Sequence, residues 1–124
     1  MTLTDKQTAE VGLSLGWPHA DLSPNARVHW GQKSRASKAA RHEAGWAMRR
    51  EFKGKPGWQR VAIEMVFCPP DNRRRDLDNL IASMKPAADG IADAIGVDDS
   101  LFQTTYRMGE PVKGGAVLVT VRAA

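Results

Sequence analysis

The chain has 124 residues and a mass of 13.6 kDa, room for one domain over residues 1–124 built around one modest core. No apolar run approaches the ~20 residues of a membrane span, no basic start followed by an apolar block marks a secretory signal, and the single Cys68 excludes an intrachain disulfide framework and a cysteine-rich zinc site, so a reducing, cytoplasmic setting away from membranes is expected. The net charge of +4 at pH 7 is unevenly spread, with eight Lys and Arg between Arg27 and Lys53 against Glu43 and Glu51, and seven acids between Asp76 and Glu110 against Lys85 and Arg107.

Val11, Leu13, Leu15 and Trp17 alternate with Glu10, Gly12, Ser14 and Gly16. A period of two predicts a first strand ending at Pro18. Residues 18–32 are rich in turn formers and read as a long loop. Within it Trp30 is a candidate for stacking on a base. Residues 34–52 predict a helix, with Ser34 as its cap and Gly54 and Pro56 as its stop. Ala36, Ala40, Ala44, Ala47 and Met48 fall on one side of it. Arg35, Lys38, His42, Arg49 and Lys53 fall within about 60° of one another on the far side, at 100° per residue. Such a stripe suits a phosphate backbone, and it is equally an ordinary solvated face.

Val61, Ile63, Met65 and Phe67 predict a second strand over 59–68, ended by Pro69-Pro70. Leu77, Leu80, Ile81, Met84, Ala88, Ile91 and Ile95 then recur at helical spacing. Pro86 is expected to kink or restart that helix, with Ser83 capping the second piece. Residues 101–108 and 115–122 read as two strands, paired as a hairpin through Lys113-Gly114-Gly115. Trp17, Trp46 and Trp58 are expected in the core or at a dimer surface. The order β-loop-α-β-α-β-β predicts an α+β domain, a small mixed or antiparallel sheet packed by two helices.

The segment from Asp71 to Leu80 carries the chemistry. Asp76 and Asp78 stand two apart between a strand and a helix. In extended backbone, residues i and i+2 point the same way, so the carboxylates converge and repel unless a cation lies between them. Oxygen donors of high charge suit Mg²⁺ or Mn²⁺. Lys85 and Asp89 lie 7 and 11 residues beyond Asp78, close to its line on a helix. Asp98-Asp99 follow the helix. A lysine next to a carboxylate-held ion can stabilise charge on a phosphoryl centre, and Arg73, Arg74 and Arg75 offer phosphate anchors. Taken singly, each feature also has a plain reading: the acids as turn residues, the arginines and Lys85 as solvated surface.

The run Arg74-Arg75-Asp76-Leu77-Asp78-Asn79-Leu80, then Lys85-x-x-x-Asp89, then Gly96-Val97-Asp98-Asp99 resembles the RusA family of Holliday junction resolvases of phages and prophages. Trp17-Pro18 with Ser23-Pro24-Asn25 is similar to that family's amino-terminal loop, and Pro111–Gly115 extends the likeness, so most of 10–122 is covered. Lys85 stands further from the Asp-Asn-Leu run than the family's lysine does. The resemblance implies a RusA-like homodimer in a bacterial host, a Mg²⁺-dependent endodeoxyribonuclease of recombination and repair. It would nick four-way DNA junctions at symmetric positions, with Asp76, Asp78 and Asp99 holding the metal and Lys85 as the essential lysine. Other readings stay open: a DNA-binding module without catalysis, or a related nuclease acting on other branched DNA.

Overall fold

The structure is a computed structural model that describes residues 8–124; residues 1–7 of the expected single domain lie outside the described residues. Four strands, β1 (Glu10–Gly16), β2 (Val61–Cys68), β3 (Phe102–Met108) and β4 (Ala116–Ala123), form one sheet in the order β1-β4-β2-β3. β4 runs antiparallel to both its neighbours, and β2 and β3 are parallel, so the sheet is mixed. The helices are α1 (Trp30–Glu51), α2 (Leu77–Ser83) and α3 (Lys85–Ile95), with short 3-10 turns at Ala20–Leu22 and Asp99–Leu101. This is the α+β class the sequence predicts. Among the described residues no helix is long and apolar enough to cross a membrane.

The alternation in each strand puts one face of the sheet against the helices. Leu13, Val119, Met65 and Tyr106 lie in register across all four strands and form one row of that face. Met48 of α1 and Ile91 and Ile95 of α3 close over it, fully buried. Truncating such a residue to alanine costs about 2–5 kcal/mol, so this layer holds the domain together. Trp58 is buried beside Phe52, with ring centroids 5.9 Å apart. Trp17 is half-buried, and Trp46 is 64% exposed.

Three expectations are corrected. The first is the hairpin between β3 and β4. Gly114 and Gly115 do make a turn at positive φ, but β3 is parallel to β2 and is not β4's neighbour. The connecting segment crosses the end of β2, where the Gly109 N–H donates to the Phe67 carbonyl (2.8 Å) and the Val112 N–H to the Pro69 carbonyl (2.9 Å). Val117, Val119 and Val121 of this interior strand are all buried.

The second correction is the start of α1. It begins at Trp30, because the His29 imidazole supplies the cap: Nδ1 accepts from the Gly31 N–H at 3.1 Å. Ser34 therefore lies within the helix. Trp30 is its first residue, 76% exposed, with its ring 5.9 Å from that of His29.

The third concerns Ser83. Its hydroxyl donates back to the Asn79 carbonyl at 2.8 Å and caps nothing. The expected second helix divides at Met84, and Pro86 sits in the first turn of α3, where a missing N–H costs no hydrogen bond.

α1 and α3 cross at two glycines. A Cβ added at Gly90 would lie 2.1 Å from the Arg41 carbonyl oxygen, and one at Gly45 would lie 3.1 Å from the Gly90 carbonyl oxygen. Beside this crossing the Arg41 guanidinium grips Asp93 with two bonds, Nε to Oδ2 at 2.6 Å and Nη2 to Oδ1 at 2.8 Å. These hydrogen bonds hold the Asp93 carboxyl below its usual range and raise Arg41.

Gly90→Ala gains about 1 kcal/mol of helix propensity but must push backbone aside, a cost of about 3 kcal/mol. The clash wins. Urea denaturation is expected to show a net loss of about 2 kcal/mol, mostly as a lower midpoint.

Candidate functional site

The loop that leads from β2 into α2 is folded by its own side chains. Asp71 Oδ1 accepts from the Arg73 N–H at 2.9 Å and pairs with Arg75 Nη2 at 2.9 Å. Those contacts, the Arg73 N–H first, hold the Asp71 carboxyl below its usual range. Arg75 Nη1 also donates to the carbonyls of Asp71 (3.1 Å) and Arg73 (2.9 Å), and its guanidinium lies over the Trp17 ring, 5.5 Å from the centroid. Arg75 is thus spent on holding the loop, while Arg73 and Arg74 are exposed.

Asp76 is the N-cap of α2. Its Oδ1 accepts from the Asp78 N–H at 2.9 Å, which satisfies one of the free donors at the helix start. Asp78 is exposed in the first turn. A negative charge there also interacts favourably with the helix dipole.

Lys85 opens α3. Its ammonium pairs with Asp89 Oδ1 one turn on, at 3.0 Å, and with Asp99 Oδ2 beyond the end of the helix. These bonds, that to Asp99 first, raise the lysine above its usual value. It is therefore a fixed cation and a poor proton acceptor at neutral pH. Asp99 begins a 3-10 turn that Asp98 caps, its Oδ2 accepting from the Ser100 N–H at 3.0 Å. Hydrogen bonding to Ser100 holds Asp98 below its usual range. A hollow of about 220 Å³ opens at the Lys85–Asp99 pair, with walls that include Met84, Phe102 and Tyr106.

The structure thus gathers Lys85, Asp89 and Asp99. Asp78 is not among the partners of Lys85, because the break at Met84 ends the single helical line on which the sequence places both. Among the described residues no three of His, Cys, Asp and Glu are grouped so as to hold a metal ion. Asp76 is engaged with backbone and Asp99 with an ammonium. Asp76, Asp78 and Asp99 are thus not gathered into one ligand set among the described residues, and no step of the chemistry is routed through a metal ion. Arg35, Lys38 and Arg49 are exposed along α1, as the stripe predicts. The Arg41–Asp93 pair escapes sequence reasoning, since two charges so far apart in the chain carry no local signal.

The cap makes a separable prediction. Asp76→Ala is expected to lower stability by about 1 kcal/mol, while Asp76→Asn, which caps as well, changes it by only a few tenths. Paired urea melts check this.

No family model matches the chain. It is similar to a protein of Xylella fastidiosa named only as an uncharacterized protein, 41% identical over 118 residues that span 88% of this chain and 74% of the relative. With identity of that degree over that span, this chain belongs to the same family as the Xylella fastidiosa protein.

Proposed function

We propose that the protein is an endodeoxyribonuclease that acts on branched DNA, resolving four-way junctions by paired nicks as a homodimer. The observation that carries this reading is the meeting of Lys85 with Asp89 and Asp99, one helix beyond Asp76, in a protein whose charge is otherwise basic. In this reading Asp76, Asp78, Asp99 and Lys85 face the scissile phosphate. Water attacks the phosphorus in line and a carboxylate takes its proton, while the Lys85 ammonium stabilises the charge that builds on the phosphoryl oxygens. The P–O bond opposite the attack breaks, its sugar oxygen leaving as a hydroxyl with a proton from solvent. Exposed Arg73, Arg74, Arg35, Lys38 and Arg49 meet the backbone, and Trp30 meets a base. Two-fold symmetry of the dimer would match the near two-fold symmetry of the junction. A requirement for Mg²⁺ or Mn²⁺ belongs to this proposal on the strength of the Asp76-x-Asp78 and Asp98-Asp99 pairs in the sequence. So does a bacterial cytoplasmic setting, on a phage or prophage.

One observation favours a second reading. Asp76 and Asp98 already serve as caps and Asp99 is already paired, which is what a DNA-binding module without catalysis would look like. A labelled four-way junction, incubated with Mg²⁺ and again with EDTA, separates the two. Paired nicks that vanish in EDTA support the nuclease, binding without nicks in both supports the module, and absence of binding removes both. Flaps and forks in the same assay set the preferred branch.

Two variants sharpen the outcome. Asp76→Asn is expected to abolish nicking and leave both junction affinity and stability intact. The pair Arg35→Ala with Lys38→Ala is expected to weaken binding and to flatten the slope of log K against log salt by about two. Titrations at a series of salt concentrations measure that slope.

A further inference from the structure

A groove runs along both sides of the segment Trp17-Pro18-His19. On one side a hollow of about 350 Å³ separates it from Ala36, Ala39 and Ala40 of α1. On the other a hollow of about 460 Å³ separates it from Arg73, Asp76 and Asn79. Ser83 is part of the wall of both. α1 offers only methyl groups and the Glu43 carboxylate here, so the slot is narrow-walled and mostly apolar. Its polar side chains are concentrated in the second hollow, among them Asp71, Arg73, Arg75, Asp76 and Asn79. The Ser83 hydroxyl gives its proton to the Asn79 carbonyl, which leaves its oxygen free to accept.

An apolar slot with a few polar groups is the form of a site for a small organic ring. Its surroundings narrow the choice. Exposed Arg35 and Lys38 stand on α1, the helix that walls one hollow, and exposed Arg73 lines the other. A planar ring with hydrogen-bonding edges, joined to phosphates on either side, is a nucleotide within a strand.

We infer that this groove takes one unstacked nucleobase of the bound DNA, held between Trp17-Pro18 and the alanine face of α1. The inference rests on the reading of the protein as one that acts on branched DNA. Taking a base out of the stack costs least where pairing is already interrupted, as at a branch point.

The test is a double-mutant cycle between the groove and the base, read as equilibrium binding of the full chain in EDTA. The probes are a four-way junction, the same junction with abasic sites at the branch, and plain duplex. Ala39→Leu fills the groove from an exposed helix position, and Ala36→Leu repeats the test from a half-buried one. The wild-type chain is expected to prefer the intact junction over the abasic one by about tenfold, the scale of stacking one base on an aromatic ring. Both variants should lose that preference while binding the abasic junction and the duplex as before. Equal affinity of the wild type for both junctions overturns the inference, as does a preference that survives both substitutions or a loss shared equally by all probes. Those results leave the branched-DNA reading standing, whereas failure of the wild type to bind any of the three overturns both.

Discussion

The contact on which the rest depends is the one between Gly45 and Gly90. With no side chain at either position, the backbones of α1 and α3 come within van der Waals distance, and Gly90 leaves no space even for a methyl group. That closeness lets both helices lie on one small sheet and share its inner face. It also sets where α3 begins. Lys85 is brought to the edge of the sheet beside Asp99, and Asp93 is brought under Arg41. The exposed bidentate pair at the crossing adds little free energy by itself. Its main effect is on geometry, since a forked guanidinium admits few relative positions of the two helices.

The acids of this protein hold backbone as well as charge. Asp71, Asp76 and Asp98 each accept from an N–H two residues on, and each begins a turn or helix. A carboxylate fixed in this way has little freedom left to follow a ligand. Its position is set by the fold before any partner arrives, which is the preorganisation that charge stabilisation at a reacting centre depends on. Lys85 sits where carboxylates from two separate elements, Asp89 and Asp99, meet. It keeps Asp89 and Asp99 close without the repulsion that two bare carboxylates would feel.

Much of the secondary structure was legible because it is written in periodicity. The alternations of β1 and β2 and the apolar line from Leu77 to Ile95 each announce an element, and all are present. What was not legible lies where a local signal has two meanings. Lys113-Gly114-Gly115 specifies a turn but not which strands pair on either side of it, and that pairing joins segments far apart in the chain. The helix at Trp30 starts early because an imidazole takes a role more often filled by Ser or Asp. Of the candidate site, the spacing of Lys85 to Asp89 was readable as one helical turn. The arrival of Asp99 beside them follows from no spacing, since it depends on the path of the chain after Gly96, and only the family resemblance put the two in one site.

The order of the strands has a consequence for how the molecule comes together. β4 is the fourth strand in sequence and an interior strand of the sheet, and it joins β1 to β2 through pairs such as Leu13 with Val119. Until it arrives, β1 has no hydrogen-bonding neighbour, and β2 has only β3. Most of the sheet's long-range pairing must therefore wait for a segment that leaves the ribosome after the other three strands. The entropy of closing that long loop is paid late, and in the interval the apolar faces of β1 and β2 lie open to chaperones or to one another.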